Sequence, residues 1–390
     1  MTAPISLRGM TWNHPRGYAP MAATAARFHE LHPEITIHWE QRSLKAFEDF
    51  PVEKLATDYD LIVLDHPCIP RVSARNAILP LDAHLSAAFL GDQAAHTVGG
   101  SHASYHYRGH QWALAIDAAT PVAFWRADLL ARLGVAPPRT WDELLALARR
   151  GHVEVPAAPI NCLMNFYTFC LAAGAEPFAS TQVVAPKDAA LAALERLREL
   201  LALGDAEAWN RNPIASHELV ASAENTRLAY CPLAYGYSNY ARAGFAAHRL
   251  AFGEPPTLDG APLRTTLGGA GLAVSAFSRQ RAAALAYAEF VASGAIQRTL
   301  YTQSGGQPGH RLAWLDAANN RETGDYFART LPVLDRAFVR PRFPGYMRFQ
   351  EEASLLVHEA LRGATAPAAA IDRLDALYRD TLATATAIPA

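Results

Sequence analysis

The run Trp12-Asn13-His14-Pro15-Arg16-Gly17-Tyr18 gathers an indole, an amide, an imidazole, a guanidinium and a phenol in consecutive positions. That mixture suits non-covalent capture of a small polar molecule: hydrogen-bonding groups fix its orientation and flat aromatic rings cover the apolar faces that sugars present. Asp65 and His66 follow the continuous apolar run Leu61-Ile62-Val63-Leu64. They stand at the carboxyl end of what reads as a buried parallel strand, where open α/β sheets bind ligands. Asn161 to Phe169, with Asn165 at its centre, and Ala234-Tyr235-Gly236-Tyr237-Ser238-Asn239-Tyr240 again mix aromatics with amides. On a strand, Tyr235 and Tyr237 would face the same way. Gly268-Gly269-Ala270-Gly271 would let the backbone approach a ligand and donate amides to it. Arg342, in the late segment Arg340-Pro341-Arg342-Phe343, offers a fork for a carboxylate or phosphate. Asp117 completes the candidate ligand-binding set.

Covalent chemistry finds less support. Gly236-Tyr237-Ser238-Asn239-Tyr240 fails the nucleophile-elbow pattern because its last position is not glycine. The glycine run at 268–271 is not followed by Gly-Lys-Ser/Thr and opens no helix, so it is neither a P-loop nor a dinucleotide fingerprint. His102, His106 and His110 recur every fourth residue, but Gly99-Gly100 and Gly109 argue for a hairpin, and no cysteine or carboxylate lies close by in sequence. The expectation is a binder that is not an enzyme, with no metal and no cofactor.

Bulk composition agrees. A chain of 390 residues, 51% hydrophobic and 18% charged, is long enough for two or three domains and a large core. A net charge of -2 without long runs of one sign gives no footprint for nucleic acid or an anionic membrane. The start, Met1-Thr2-Ala3-Pro4-Ile5-Ser6, lacks the basic and apolar regions of an export signal, and no apolar run of about 18 residues occurs. The four cysteines, Cys68, Cys162, Cys170 and Cys231, are too scattered for a disulfide framework and read as small buried hydrophobes.

Strand and helix signals alternate, the pattern of an α/β protein. Ile5 to Trp12 reads as a first strand; Pro20, placed in a first turn, opens a helix that His32-Pro33 ends. Ile35 to Trp39 alternates as a half-buried strand. Thr140-Trp141-Asp142-Glu143 is a capping box that starts another helix. Further helices are expected from about Lys187 to Leu203, stopped by Gly204, from about Arg279 to Ser293, and around Ile371, Leu374, Tyr378 and Leu382.

Three segments in order carry a family resemblance. They are Tyr59 to Leu85, ending in Leu79-Pro80-Leu81-Asp82; Tyr107-Arg108-Gly109-His110-Gln111-Trp112 through Phe124-Trp125-Arg126 to the capping box; and Leu267-Gly268-Gly269-Ala270-Gly271-Leu272 with Gly305-Gly306-Gln307-Pro308. Together they resemble bacterial extracellular solute-binding proteins of family 1, the sugar-binding subunits of ABC importers. Ala115 stands where that family usually has proline, and Trp125-Arg126 where it has tyrosine-asparagine. The resemblance implies an α/β fold of periplasmic binding protein type II: two lobes, each a mostly parallel sheet flanked by helices, joined by hinge strands. Lobe one is placed at 1–117 plus 263–313 and lobe two at 118–262 plus 314–390, with a ligand cleft that closes between them. It further implies a periplasmic monomer that takes up a small polar solute (sugar, polyol phosphate or organic acid) and docks on an ABC permease. An intracellular enzyme on the same scaffold and a ligand sensor stay open as alternatives, and without an export signal in the chain a cytoplasmic location stays open too.

Overall fold

A computed structural model describes residues 4–43 and 52–386. Its described strands are β1 (Ile5–Trp12), β2 (Ile35–Arg42), β3 (Leu61–Leu64), β4 (His106–Tyr107), β5 (His110–Gln111), β6 (Leu114–Ala119), β7 (Pro121–Trp125), β8 (Tyr230–Tyr235), β9 (Ala251–Gly253) and β10 (Gly268–Val274). The chain divides into two units, Met1–Ala119 with Gly268–Thr323 and Thr120–Leu267 with Gly324–Ala390. The polypeptide therefore passes between units after Ala119, Leu267 and Thr323, each somewhat later than the sequence boundaries. The physical reason is pairing: Ala119 still has a sheet partner in Gly268, and Asn319 still bonds the Arg298 carbonyl.

The first unit is built on a five-stranded sheet of order β2-β1-β3-β10-β6. β1 runs parallel to β2 and β3, but β10 runs antiparallel to both β3 and β6. Leu7, Leu61, Val63, Leu114, Leu272 and Val274 of this sheet form one core with Met21, Phe28 and Tyr287 from flanking helices. The first helix begins earlier than Pro20 implies, at Pro15, and runs to Leu31. His14 caps it: the Arg16 amide donates to His14 Nδ1 at 3.0 Å, a task more often given to Ser, Thr, Asp or Asn. Pro20 lies inside the helix.

The second unit departs from the mostly parallel expectation. Its described sheet, β8-β7-β9, is antiparallel throughout. Chain order alone does not set strand direction; here the crossing at Thr120 feeds β7 between two strands that arrive from the opposite side. Helices supply most of the core. Pro159–Ala172, Lys187–Leu201, Tyr346–Leu361 and Pro367–Thr386 pack on one another through Phe166, Leu194, Leu197, Phe349, Leu374 and Tyr378. The capping box forms as read, with the Glu143 amide donating to Thr140 Oγ1 at 3.3 Å and the Thr140 amide to Glu143 Oε2 at 3.3 Å. All four cysteines are buried thiols outside any disulfide, and burial pushes the Cys162 and Cys170 thiols up. Among the described residues no helix is long and apolar enough to cross a membrane.

Candidate functional site

In the first unit, strand direction gathers the predicted residues at one sheet edge. β1 and β3 end level with each other, and β6 and the start of β10 run on past that end, because Leu64 pairs with Gly271, Gly271 with Ala115 near the start of β6, and Ala119 with Gly268. Trp12 closes β1, Asn13 and Asp65 follow strand ends, Asp117 lies opposite Ala270, and Gly268-Gly269 open β10. This edge is also where the chain leaves the unit and returns.

Individual roles at that edge differ from a simple row of ligand donors. Arg16 is buried and donates to Asp117 through Nε at 2.8 Å and through its Nη2. The pair is nearly sealed, with side-chain exposures of 4% and 1%. Burial raises the Asp117 carboxyl, and the Arg16 charge pulls it back down. Arg16 thus spends its fork on an internal carboxylate rather than standing ready for a solute anion. Trp12 is core, its ring filling the space beside Gly17, where a Cβ would come within 2.4 Å of the indole. Gly269 has φ +105, and a Cβ there would lie 2.3 Å from the Asp117 carbonyl oxygen. Its lack of a side chain therefore first serves close approach of β10 to β6. His66 is buried, 3.2 Å from the Asp65 carboxylate and edge-on to Tyr105. Asn13 is exposed.

His14 is held down to about 3 by burial, reinforced by the Arg16 charge, so its ring is neutral. Unfolded histidine protonates near ~6.5. Between these values the unfolded chain binds the extra proton, so this group's contribution to stability is complete above about pH 6.5 and is lost as pH falls toward 3. His14→Asn, which keeps a capping acceptor, is expected to flatten that part of the curve; parallel curves for both proteins in urea unfolding from pH 7 to 4 would contradict it.

Of the second unit's candidates, Tyr235 lies where the chain enters it. Tyr235 ends β8 opposite Pro121, the first residue of β7, and the Gly236 amide donates to the Thr120 carbonyl at 3.2 Å. Tyr235 and Tyr237 do not share a strand face, because β8 stops at Tyr235. The Tyr235 hydroxyl meets Thr266 Oγ1 at 2.9 Å, whereas Tyr237 is buried against His217, ring centroids 5.7 Å apart. Thr266 bridges to Phe338 and Thr120 bonds Thr265, so a knot of threonines, which no sequence pattern flagged, ties the crossing segments to Tyr235. Asn165 is buried on the helix Pro159–Ala172. Arg342 is half-buried four residues beyond Phe338, and its buried neighbour Arg340 donates to Gln350 Oε1 at 3.0 Å.

The histidines spaced by four do not converge. His102 sits in a short helical turn, His106 and His110 lie on the β4–β5 hairpin, and His110 Nδ1 is 2.9 Å from an Asp82 carboxylate oxygen.

Known structures share this fold. Maltose-bound T. maritima MalE3 matches with TM-score 0.84 at 19% identity, covering 96% of this chain and 99% of that one. A solute-binding protein of an ABC transporter from Agrobacterium radiobacter K84 in complex with ribitol matches at 0.80 and 19% identity, covering 97% and 99%. UgpB from Mycobacterium tuberculosis in complex with glycerophosphocholine matches at 0.78 and 17% identity, covering 98% and 99%. The family model of bacterial extracellular solute-binding proteins matches residues 11–298. With most of its length under that match, the chain belongs to the bacterial extracellular solute-binding proteins, a family of binders and not of enzymes.

Proposed function

We propose that this chain is the solute-binding component of an ABC importer and captures a neutral carbohydrate or polyol. The observation that carries the reading is the sheet edge formed by Trp12, Asn13, Asp65, Asp117 and Gly268-Gly269. It supplies backbone groups and the Asp65 carboxylate suited to hydroxyls, while Arg16 and Asp117 are engaged with each other. A neutral ligand is favoured over a polyol phosphate or organic acid for that reason. The relatives bound to maltose and ribitol support the same class. Tyr235, Tyr237, Asn165 and Arg342 are the contacts proposed from the second unit, and solute capture is proposed to occur by closure of the two units on the ligand. The partner is an ABC permease, and the protein acts as a monomer outside the cytoplasm.

A thermal-shift panel of maltose, ribitol, tagatose, glycerol 3-phosphate and citrate tests the ligand class, since a solute that binds only the folded protein raises its melting temperature. A neutral sugar or polyol is expected to give the largest rise; stabilisation by anionic solutes alone would reverse the assignment, and no response to any solute would count against it. For the sugar or polyol that binds, Tyr235→Ala is expected to weaken affinity by at least ~1 kcal/mol through lost aromatic contact. Isothermal titration checks this, and an unchanged dissociation constant removes Tyr235 from the site. Small-angle scattering should show a smaller radius of gyration with ligand than without.

A further inference from the structure

Away from the sheet edge, Asp92, His96 and His310 bring one carboxylate and two imidazoles together, with one ligand atom from each lying within 4.8 Å of the others. Asp92 lies near the end of the helix Ala87–Ala95, and His96 caps that end four residues later, so both side chains share one face. His310 comes from a distant part of the chain and is fixed beside them by backbone pairing. Thr97 bridges to His310, the Arg311 amide donates to the His96 carbonyl at 2.6 Å, and the Val98 amide donates to the Gly309 carbonyl at 3.3 Å.

The atoms are spaced as ligands. His310 Nε2 is 3.2 Å from Asp92 Oδ2, and His96 Nδ1 is 2.8 Å from Asp92 Oδ1. Four-coordinate zinc with bonds of roughly 2.0–2.2 Å sets its ligand atoms about 3.3 Å apart, and the three ligand atoms, all within 4.8 Å of one another, would draw in toward that spacing around an ion. The two rings stack with centroids 5.0 Å apart and planes at 18°, so binding would turn one ring until both nitrogens face the ion. Gly294 leaves the room this needs, since a Cβ there would lie 3.0 Å from His310 Nε2. One side of the cluster is open to solvent: His310 is 1% exposed, but His96 and Asp92 are 39% and 45% exposed.

We propose that Asp92, His96 and His310 bind a divalent transition-metal ion of the zinc class, with solvent completing its coordination. Two nitrogens and one carboxylate oxygen match zinc and its neighbours rather than magnesium or calcium, which prefer all-oxygen sets. The ion would pin the 307–311 segment to the helix end. That segment also holds the ligand-side edge, since Gln307 Nε2 donates to the Ala118 carbonyl at 2.8 Å and the Gly309 amide to the Ile116 carbonyl at 3.1 Å. The site does not depend on the solute proposed above.

The test is isothermal titration of tag-free, chelator-treated full-length protein with zinc chloride, alongside His96→Ala and Asp92→Asn, with magnesium chloride as control. His96 and Asp92 are exposed enough that their replacement should leave the fold intact, which circular dichroism verifies. One zinc per chain is expected, with affinity lowered at least ~10-fold to 100-fold in each variant and no response to magnesium. Cobalt substitution should give visible absorption of a low-coordinate site. Absence of stoichiometric zinc binding to the parent protein, or equal binding by His96→Ala, overturns the proposal.

Discussion

Asp117→Ala is expected to lower the unfolding free energy by about 3–5 kcal/mol, because it leaves the Arg16 guanidinium buried without its counter-charge. The magnitude follows from burial rather than from the attraction of the pair. An exposed ion pair such as Arg8–Glu40, with side chains about half exposed, is screened by water and contributes little. Arg16 and Asp117 are almost fully removed from water, and breaking one partner forces the other to pay its whole desolvation cost. Replacing both together, Arg16→Met with Asp117→Leu, should cost clearly less than the single change, since no orphaned charge remains. Urea unfolding of the three proteins checks both statements. Additive losses in the double variant would show that the pair is not the source of the effect. A consequence for binding follows. Asp117 pairs with Ala270 in the sheet and forms a bridge with Pro308, so a loosened Asp117 also loosens the edge proposed to meet the solute.

That ion pair marks the boundary of what could be read from the residues alone. β2, β3 and the capping box at Thr140 were legible because their signals are local: apolar alternation, a continuous apolar run, a cap with its reciprocal glutamate. The start of the first helix was misplaced because a histidine does the capping and Pro15, not Pro20, occupies the first turn. Partners separated by a hundred residues left no trace in spacing, so Arg16 read as a ligand-binding group when its guanidinium is paired inside the fold. The direction of the second unit's strands was hidden for a related reason: antiparallel pairing of β7 with both β8 and β9 is a property of how distant segments return, not of any one segment. Histidines show the same limit. The visible periodicity at 102, 106 and 110 leads to a hairpin, whereas the cluster that meets, His96 with His310, joins positions no short-range pattern connects.

Gly269→Ala is the second substitution expected to act strongly, with a loss of roughly 3 kcal/mol or more. Two costs combine. A positive φ of +105 is a conformation that residues bearing a Cβ adopt only at about 1–3 kcal/mol. The methyl would also fall 2.3 Å from the Asp117 carbonyl oxygen and 2.8 Å from Ala118 Cα. Those atoms are backbone in a sheet strand, so they do not swing aside as a flexible side chain would, and overpacking of this kind adds about 1–3 kcal/mol. The β10–β6 register shifts between Ala270 and Gly271, which shows that the pairing is already irregular at this place. A control separates strain from general intolerance: Gly260→Ala also meets a positive φ, +77, but no atom stands within 4 Å of its Cβ, so only the conformational part is lost. Thermal unfolding should rank Gly269→Ala well below Gly260→Ala. If the two melt together, the contact with Asp117 carries no energy, and the glycine run is left to the older reading, backbone kept bare for a ligand.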